Sequence, residues 1–514
     1  MNATTPPSRR SLTARRVALM ATTIAGFGAA AFFAPYAAPK AGFFSAPAYA
    51  QNLTQQAQQL AQKPIGFADI VEKVKPAVIS VRVKMERPAE AGPSSDELPF
   101  PPGSPFERFF KRFGMPNNGQ GGGHGVITGQ GSGFFITADG YAVTNNHVVQ
   151  NAENVQVTAD DGKTYSAKVI GTDQRTDLAL IKVESGSSFP FAKLSDAKPR
   201  IGDWVLAVGN PFGLGGTVTA GIVSAMGRDI GNGPYDDFIQ IDAPVNKGNS
   251  GGPAFSTDGD VVGVNTAIYS PSGGSVGIAF SIPASTVKSV VAQLKDKGSV
   301  SRGWIGVQIQ PVTADIADSL GLKKAEGALV AEPQANGPAA KAGIESGDVI
   351  TAVNGDSVKD ARELARTIGG MAPGAAVKLN VLHKGEDKVV NITLGQLPNT
   401  LEAKADNDND NDNGKPTRGT DVPKLGMTVA PAASVAGAGK DGVVVTDVDP
   451  KSAAAERGFK EGDVILEVAG KTVTNPNDVR EAINAARADN KNSVLMRVKT
   501  GGQSRFVAVP LAKG

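Results

Sequence analysis

Between Gly131 and Pro283 the chain reads as short apolar runs broken by glycine and by Asp-Gly pairs. Runs this short, bounded by turn residues, predict β-strands rather than helices. Asp139-Gly140, Asp161-Gly162 and Asp258-Gly259 predict hairpins, because such pairs tolerate the positive φ of a tight turn. Upstream, Ala77-Val78-Ile79-Ser80-Val81-Arg82-Val83 predicts another strand. Helical periodicity becomes clear only from Ser285 to Lys297. Many short strands with little helix predict two packed β-barrels, with an active site in the cleft between them.

The flanking regions have other patterns. Residues 51–64 are rich in Gln and Ala and predict a short helix or a disordered arm. Glu86 to Thr128 is loop-like and holds Phe106, Phe109, Phe110 and Phe113. Two readings stay open there: a mobile insertion, or a segment that docks its phenylalanines on another subunit. The C-terminal third repeats itself. Gly347-Asp348-Val349-Ile350 recurs as Gly462-Asp463-Val464-Ile465, and Gly327, Gly343 and Gly355 recur as Gly442, Gly458 and Gly470, all offset by 115 residues. Two copies suit tandem modules rather than a solenoid. Between them, Asp and Asn alternate from Asp406 to Asn413, a tract that cannot bury a core. It predicts a flexible linker over 399–422. A calcium loop is not expected, because Gly414 falls one place late for Asp408 and no acidic residue closes the loop.

Composition narrows the class. A chain of 514 residues implies several domains. With 52 basic and 50 acidic side chains, the net charge of +2 gives no reason to expect nucleic acid or a membrane surface as main partner. The absence of cysteine excludes disulfides, thiolate metal sites and thiol catalysis. At the N-terminus, Arg9, Arg10, Arg15 and Arg16 precede an apolar run from Val17 to Ala34, and Ala48-Tyr49-Ala50 follows. This predicts a secretory signal over 1–50, cut after Ala50, with an uncleaved membrane anchor as the alternative. Ser8-Arg9-Arg10 hints at twin-arginine export.

The chemistry centres on Gly248-Asn249-Ser250-Gly251-Gly252-Pro253. A serine hydroxyl needs a base to take its proton and donors to hold the oxyanion formed on attack. Glycines let this loop turn so that the N–H groups of Gly248 and Ser250, with Asn249 between them, point at one spot. Of the three histidines, His147 ends an apolar strand in Ala142-Val143-Thr144-Asn145-Asn146-His147. Asp177 starts another in Asp177-Leu178-Ala179-Leu180-Ile181. The order His147, Asp177, Ser250 is that of two-barrel serine proteases.

In Gly131-Ser132-Gly133-Phe134, Thr144 through Val149, Asp177-Leu178-Ala179, Gly209 through Gly213, Gly221 through Ser224 and Gly248 through Pro253, the chain resembles the HtrA/DegP family of periplasmic serine proteases. The resemblance implies Ser250 as nucleophile, His147 as general base, Asp177 as its orienting acid, and an oxyanion hole at Gly248 and Ser250. It implies activation loops around Arg228 to Asp237, Gly248, and Ser270 to Ser275. Some members carry a cysteine pair in the long loop of the first barrel. This chain has none, which puts redox control of that loop in doubt.

Each C-terminal repeat is similar to a PDZ domain of the protease-associated type. That implies strand addition by an extended peptide, with its carboxylate captured by backbone N–H groups. The first loop would be Gly303, Trp304, Ile305, Gly306 and Val307, led by Arg302; the second, Leu425 through Val429. The second lacks the Arg-Gly lead-in, so a spacer role is an equal reading. The expected domains are a protease domain over 51–297, PDZ modules over 298–398 and 423–514, and the linker. Val245 and Asn246, facing Thr266, Ala267 and Ile268, predict a shallow apolar pocket for Val or Ala rather than Lys or Arg. The expected activity is ATP-independent endopeptidase action on unfolded or damaged envelope proteins in the periplasm, alongside chaperoning. No cofactor or metal is expected. Expected partners are such proteins and their C-terminal peptides, and copies of the chain in trimers or multiples of trimers. Nucleic acid is not a partner, and transient membrane association stays open. The alternative is a non-proteolytic holdase chaperone or PDZ adaptor on the same scaffold.

Overall fold

The computed structural model describes residues 66–86 and 126–511, apart from 153, 214, 272, 399–419, 423, 424 and 490. The expected signal, the arm at 51–64, the four-phenylalanine cluster and the Asp/Asn tract lie outside the described residues.

After helix α1 (Ala68–Val74), six strands close the first barrel: β1 (Val78–Glu86), β2 (Val126–Phe135), β3 (Tyr141–Asn145), β4 (Asn154–Thr158), β5 (Thr164–Asp173) and β6 (Leu178–Val183). Six more close the second: β7 (Trp204–Gly209), β8 (Thr217–Arg228), β9 (Phe238–Ile241), β10 (Pro253–Phe255), β11 (Val261–Ile268) and β12 (Ala279–Pro283). The two-barrel expectation holds. The loop expected from Glu86 to Thr128 is shorter than the sequence suggests. β1 and β2 stay paired out to Glu86 opposite Val126, so the insertion springs from the end of a long hairpin.

The barrels share a core because their strands are apolar on both faces. In β6, Ala179 and Ile181 pack inside the first barrel with Ile79, Val81 and Phe135. Leu178 and Leu180 alternate to the other side, against Leu206 and Val208 of β7 and Phe255 of β10. Helix α2 (Asn146–Val149) follows β3 directly. Helix α3 (Ala284–Lys297) touches β5, β6 and β11, and so braces both barrels, with Val287 and Leu294 fully buried. It stops at Gly298, whose φ of 70° suits glycine and whose N–H returns to the Leu294 carbonyl.

The first PDZ module contains β13 (Gly303–Trp304), β14 (Val307–Pro311), helix α4 (Ala314–Leu320), β15 (Ala328–Pro333), helix α5 (Pro338–Lys341), β16 (Val349–Val353), β17 (Asp356–Ser357), helix α6 (Ala361–Gly369), β18 (Ala376–His383), β19 (Glu386–Thr393) and β20 (Gly395–Gln396). Its sheet runs β14-β15-β16-β18-β19, and β13 pairs apart with β20. The second module repeats the plan with β21 (Thr420–Val422), β22 (Met427–Pro431), β23 (Val443–Val448), helix α7 (Ala453–Glu456), β24 (Val464–Val468), β25 (Lys471–Thr472), helix α8 (Pro476–Ala488), β26 (Ser493–Thr500) and β27 (Gln503–Pro510). One difference corrects the expected linker. Its last residues, Thr420–Val422, are not free tether but a strand paired to β22. Val422 is apolar and fully buried, which pins them there.

Candidate active site

His147, Asp177 and Ser250 arrive from three places: the start of α2, the turn before β6, and the loop before β10. Asp177 has a φ of 56°, an uncommon conformation for a residue with a side chain. The surrounding bonds impose it. Its carbonyl accepts from the Asn146 N–H at 3.0 Å and the Asn145 side-chain amide at 2.8 Å. Its carboxylate, buried at 1% exposure, accepts the His147 N–H at 3.0 Å and the Thr266 hydroxyl at 2.6 Å. It lies 2.7 Å from His147 Nδ1. A carboxylate can only accept, so Nδ1 carries the proton and Nε2 is left as the basic nitrogen.

Thr266 therefore does more than the sequence suggested. It was expected as a pocket wall, yet its hydroxyl reaches across from the second barrel to Asp177. Its carbonyl accepts from Ser250 Oγ at 3.4 Å. Among the other expected pocket residues, Val245, Ala267 and Ile268 are buried, and Val245 and Ile268 share the interior cluster of the second barrel. Asn246 is exposed and accepts from the Ser275 N–H at 3.1 Å.

The loop that carries Ser250 is fixed bond by bond. The Asn249 N–H donates to the Asn246 carbonyl, Gly251 to Asn265, and Gly252 to Asn249. Among the described residues, the N–H groups of Gly248 and Ser250 find no backbone acceptor. Of the three expected oxyanion residues, Asn249 thus turns its N–H into its own loop. Gly248, at φ 90°, is wedged against Pro211 and has no room for a Cβ.

Ser132, in the sequence only one residue of the Gly131-Ser132-Gly133-Phe134 motif, is the hub of this loop. Its N–H donates to the Ser250 carbonyl at 2.8 Å. Its hydroxyl donates to the Gly248 carbonyl at 2.5 Å and accepts from the Asn210 N–H at 2.8 Å. A Cβ on Gly251 would collide with the Ser132 carbonyl, so only glycine allows this approach.

The loop at 228–237 leaves the second barrel and meets the first PDZ module. Arg366 of α6 donates to the Asp236 carbonyl at 2.9 Å, and Arg362 pairs with Asp229 at 2.5 Å. The Asp236 carboxyl accepts from the N–H groups of Ile230 and Asn232. Burial pushes it up to about 6, helped by Asp229 and opposed by those two bonds. Arg302, the expected lead-in to the peptide loop, points instead at the first barrel. It is buried in a two-pronged pair with Asp173 at 2.9 and 2.6 Å, beneath the Tyr235 ring.

In the expected peptide loop, the Gly303 N–H is taken by the Met371 carbonyl. The N–H groups of Ile305 and Gly306 meet no backbone acceptor among the described residues. Trp304 packs its ring over Gly306, and Val307 opens β14.

Residues 131–264 match the family model of a trypsin-like peptidase domain, and residues 303–394 and 423–511 each match a PDZ domain. The second PDZ stretch begins just after β21. The chain is 53% identical over 467 residues to a "Probable periplasmic serine endoprotease DegP-like" of Brucella suis biovar 1, covering 87% of this chain and 90% of that relative. A relative of the same description from Rhizobium meliloti is 46% identical over 486 residues, covering 90% and 95%. The solved "HtrA-type protease AlgW with decapeptide" is 35% identical with a TM-score of 0.53, over 65% of this chain and 100% of that one. Two closed barrels, two PDZ modules and similarity along nearly the whole of its relatives agree: this chain belongs to the HtrA/DegP family of serine endoproteases.

Proposed function

We propose that Ser250 is the nucleophile, His147 its general base and Asp177 the group that orients the base. The observation carrying this reading is the 2.7 Å contact between His147 Nδ1 and the buried Asp177 carboxylate, which leaves Nε2 to take a proton. Ser250 Oγ attacks the peptide carbonyl, and its proton passes to Nε2. The N–H groups of Gly248 and Ser250 hold the oxyanion. His147 returns the proton to the leaving amine, and water then clears the acyl-enzyme. The reaction balances without ATP.

The substrates are unfolded or damaged proteins of the envelope, cut after small aliphatic residues such as Val or Ala. The absence of any acidic side chain among Val245, Asn246, Thr266, Ala267 and Ile268 supports that preference. The enzyme acts in the periplasm, the compartment named for its relatives, and combines cutting with chaperoning. The first PDZ module captures the C-terminal carboxylate of a peptide on the open N–H groups of Ile305 and Gly306, beside β14. Copies assemble as trimers or their multiples. Two exposed apolar side chains of the second barrel support this, Ile201 at 67% and Trp204 at 42% exposure, with the ring of Trp204 lying 5.4 Å from that of Phe67.

Casein digestion by wild type and by Ser250→Ala, with light scattering of both, tests the chemistry. Ser250→Ala should keep its particle size and lose cleavage by roughly 10⁶-fold. Near wild-type cutting by that variant would overturn the assignment. If neither protein cuts but both suppress casein aggregation, the holdase reading wins.

A further inference from the structure

The peptide-binding edges of the two PDZ modules differ in one respect. In the first, β14 is an edge strand that no other strand covers among the described residues. Its groove-facing Val307 and Ile309 are only half-buried. The chain upstream of its loop is led away, because β13 pairs with β20. In the second module the same edge is taken. β21 runs antiparallel to β22, with Thr420 opposite Val429 and Val422 opposite Met427. The other edge of β22 belongs to β23, so β21 lies where a peptide would add.

The equivalence can be followed bond by bond. In the first module the Ile305 carbonyl accepts from Ala339 and the Gly306 carbonyl from Gln334. In the second, Leu425 accepts from Ala454 and Gly426 from Asp449. Gly306 and Gly426 have φ values of 75° and 69°. Ile305 thus corresponds to Leu425. The Ile305 N–H is open, whereas the Leu425 N–H donates to the carbonyl of Val422 at 3.3 Å. Val422 therefore sets its own carbonyl where a ligand's terminal carboxylate would sit. Its side chain is 1% exposed, clustered with Met427, Val429 and, from α8, Val479 and Ile483. Met427 and Val429 are correspondingly sealed, at 1% and 0% exposure.

We propose that the second PDZ module is self-liganded: Thr420–Val422 occupies its peptide site in cis. This rests on the reading of the first module as a peptide-capturing one. The segment is continuous with the module it fills, so it competes at an effective concentration in the millimolar range. An external peptide enters only after displacing it, and the ligand class that fits is an extended segment ending in a small β-branched residue such as valine. The first module then carries capture alone.

The test uses the full chain with Ser250→Ala, to prevent cleavage. The probe is the free pentapeptide Arg-Gly-Thr-Asp-Val with an unblocked carboxylate, which copies residues 418–422. Calorimetry should find one peptide bound per chain. Adding Val422→Asp, which puts a charge into the apolar cluster, should expel β21 and reveal a second site, with affinity there rising by about tenfold or more. Hydrogen exchange gives an independent reading on the unsubstituted strand. The β22 backbone amides between Met427 and Val429 that face β21 should be protected without peptide and lose that protection in Val422→Asp, while those bonded to β23 stay protected. Two equivalent sites in the chain with intact Val422 would overturn the proposal, as would fast exchange of those amides before any substitution. If no peptide binds anywhere, capture by the first module is refuted, and slow exchange in that same sample still supports the filled second site.

Discussion

Where the first PDZ module meets the barrels its contacts are mainly charged; where it meets the second module they are mainly apolar, with one half-exposed ion pair, Arg457–Asp315 at 2.7 Å, at the margin. On the barrel side stand the buried Arg302–Asp173 pair, Tyr235 over Arg302, and Arg362 and Arg366 on the 228–237 loop. On the other side, Val312, Ile316, Leu329 and Val349 close over Phe506 and Ala508 of β27. Gln310 completes that seam: its Nε2 donates to the Phe506 carbonyl at 2.9 Å and its Oε1 accepts from the Phe506 N–H at 2.7 Å. The difference teaches how each joint can move. Apolar burial is non-directional, and its strength tracks area. A buried ion pair is either formed in one geometry or very costly. The apolar seam therefore makes the two modules one body, and the charged joint gives that body a defined seat.

Arg302→Ala breaks the charged joint most severely. It strands Asp173 without its partner, and the loss should be about 3–5 kcal/mol. The chain has two tryptophans, Trp204 on the second barrel and Trp304 in the first PDZ module. Denaturant melts followed by their fluorescence should change from one shared transition to two. Replacing both partners with apolar residues, Arg302→Met with Asp173→Leu, should restore most of the stability. A single unchanged transition in Arg302→Ala would show that the pair does not hold the joint.

Phe506→Ala attacks the apolar seam and should cost about 3 kcal/mol, near the low end for a buried phenylalanine. Its effect should be nearly the same at low and high salt, because apolar contacts are not screened. Limited proteolysis should then release the second module, and a strongly salt-dependent effect would contradict the contrast between the joints.

The smallest effect is that of pH on the charged side. The Asp236 carboxyl is held near 6, above its ordinary value of 3.8. The folded protein then binds the proton more tightly than the unfolded chain, so this contribution is present at low pH and lost as pH rises from about 4 to 6. Asp236→Asn copies the neutral form. It should match wild type near pH 4 and exceed it above pH 6, by on the order of 1–2 kcal/mol. Thermal melts across that range check it. A variant less stable than wild type at pH 7 would reverse the sign and refute the burial argument.

These joints show which parts of the molecule the sequence makes legible. The barrels are legible because each strand is a local run and each Asp-Gly turn a local signal. The partnership of His147 with Asp177 is legible because both stand at strand boundaries, where cleft residues gather. Thr266 and Ser132 are harder. Their residue types are ordinary, and what matters is a bond across the barrel interface to a partner far along the chain. Arg302 looks like a ligand-binding arginine until Asp173 is found beside it. Thr-Asp-Val at 420–422 is too short to show periodicity, and only the burial of Val422 reveals that a polar linker ends in a strand.

The Ser132 N–H that reaches the Ser250 carbonyl belongs to the first barrel, and the Thr266 hydroxyl that reaches Asp177 belongs to the second. Each half thus completes the other's hydrogen bonding. A chain still emerging, with one barrel made and the other unfolded, holds neither an anchored serine loop nor a fully bonded aspartate. The bonded arrangement around Ser250 and Asp177 therefore exists only once both barrels are folded and docked, which makes it a late product of folding.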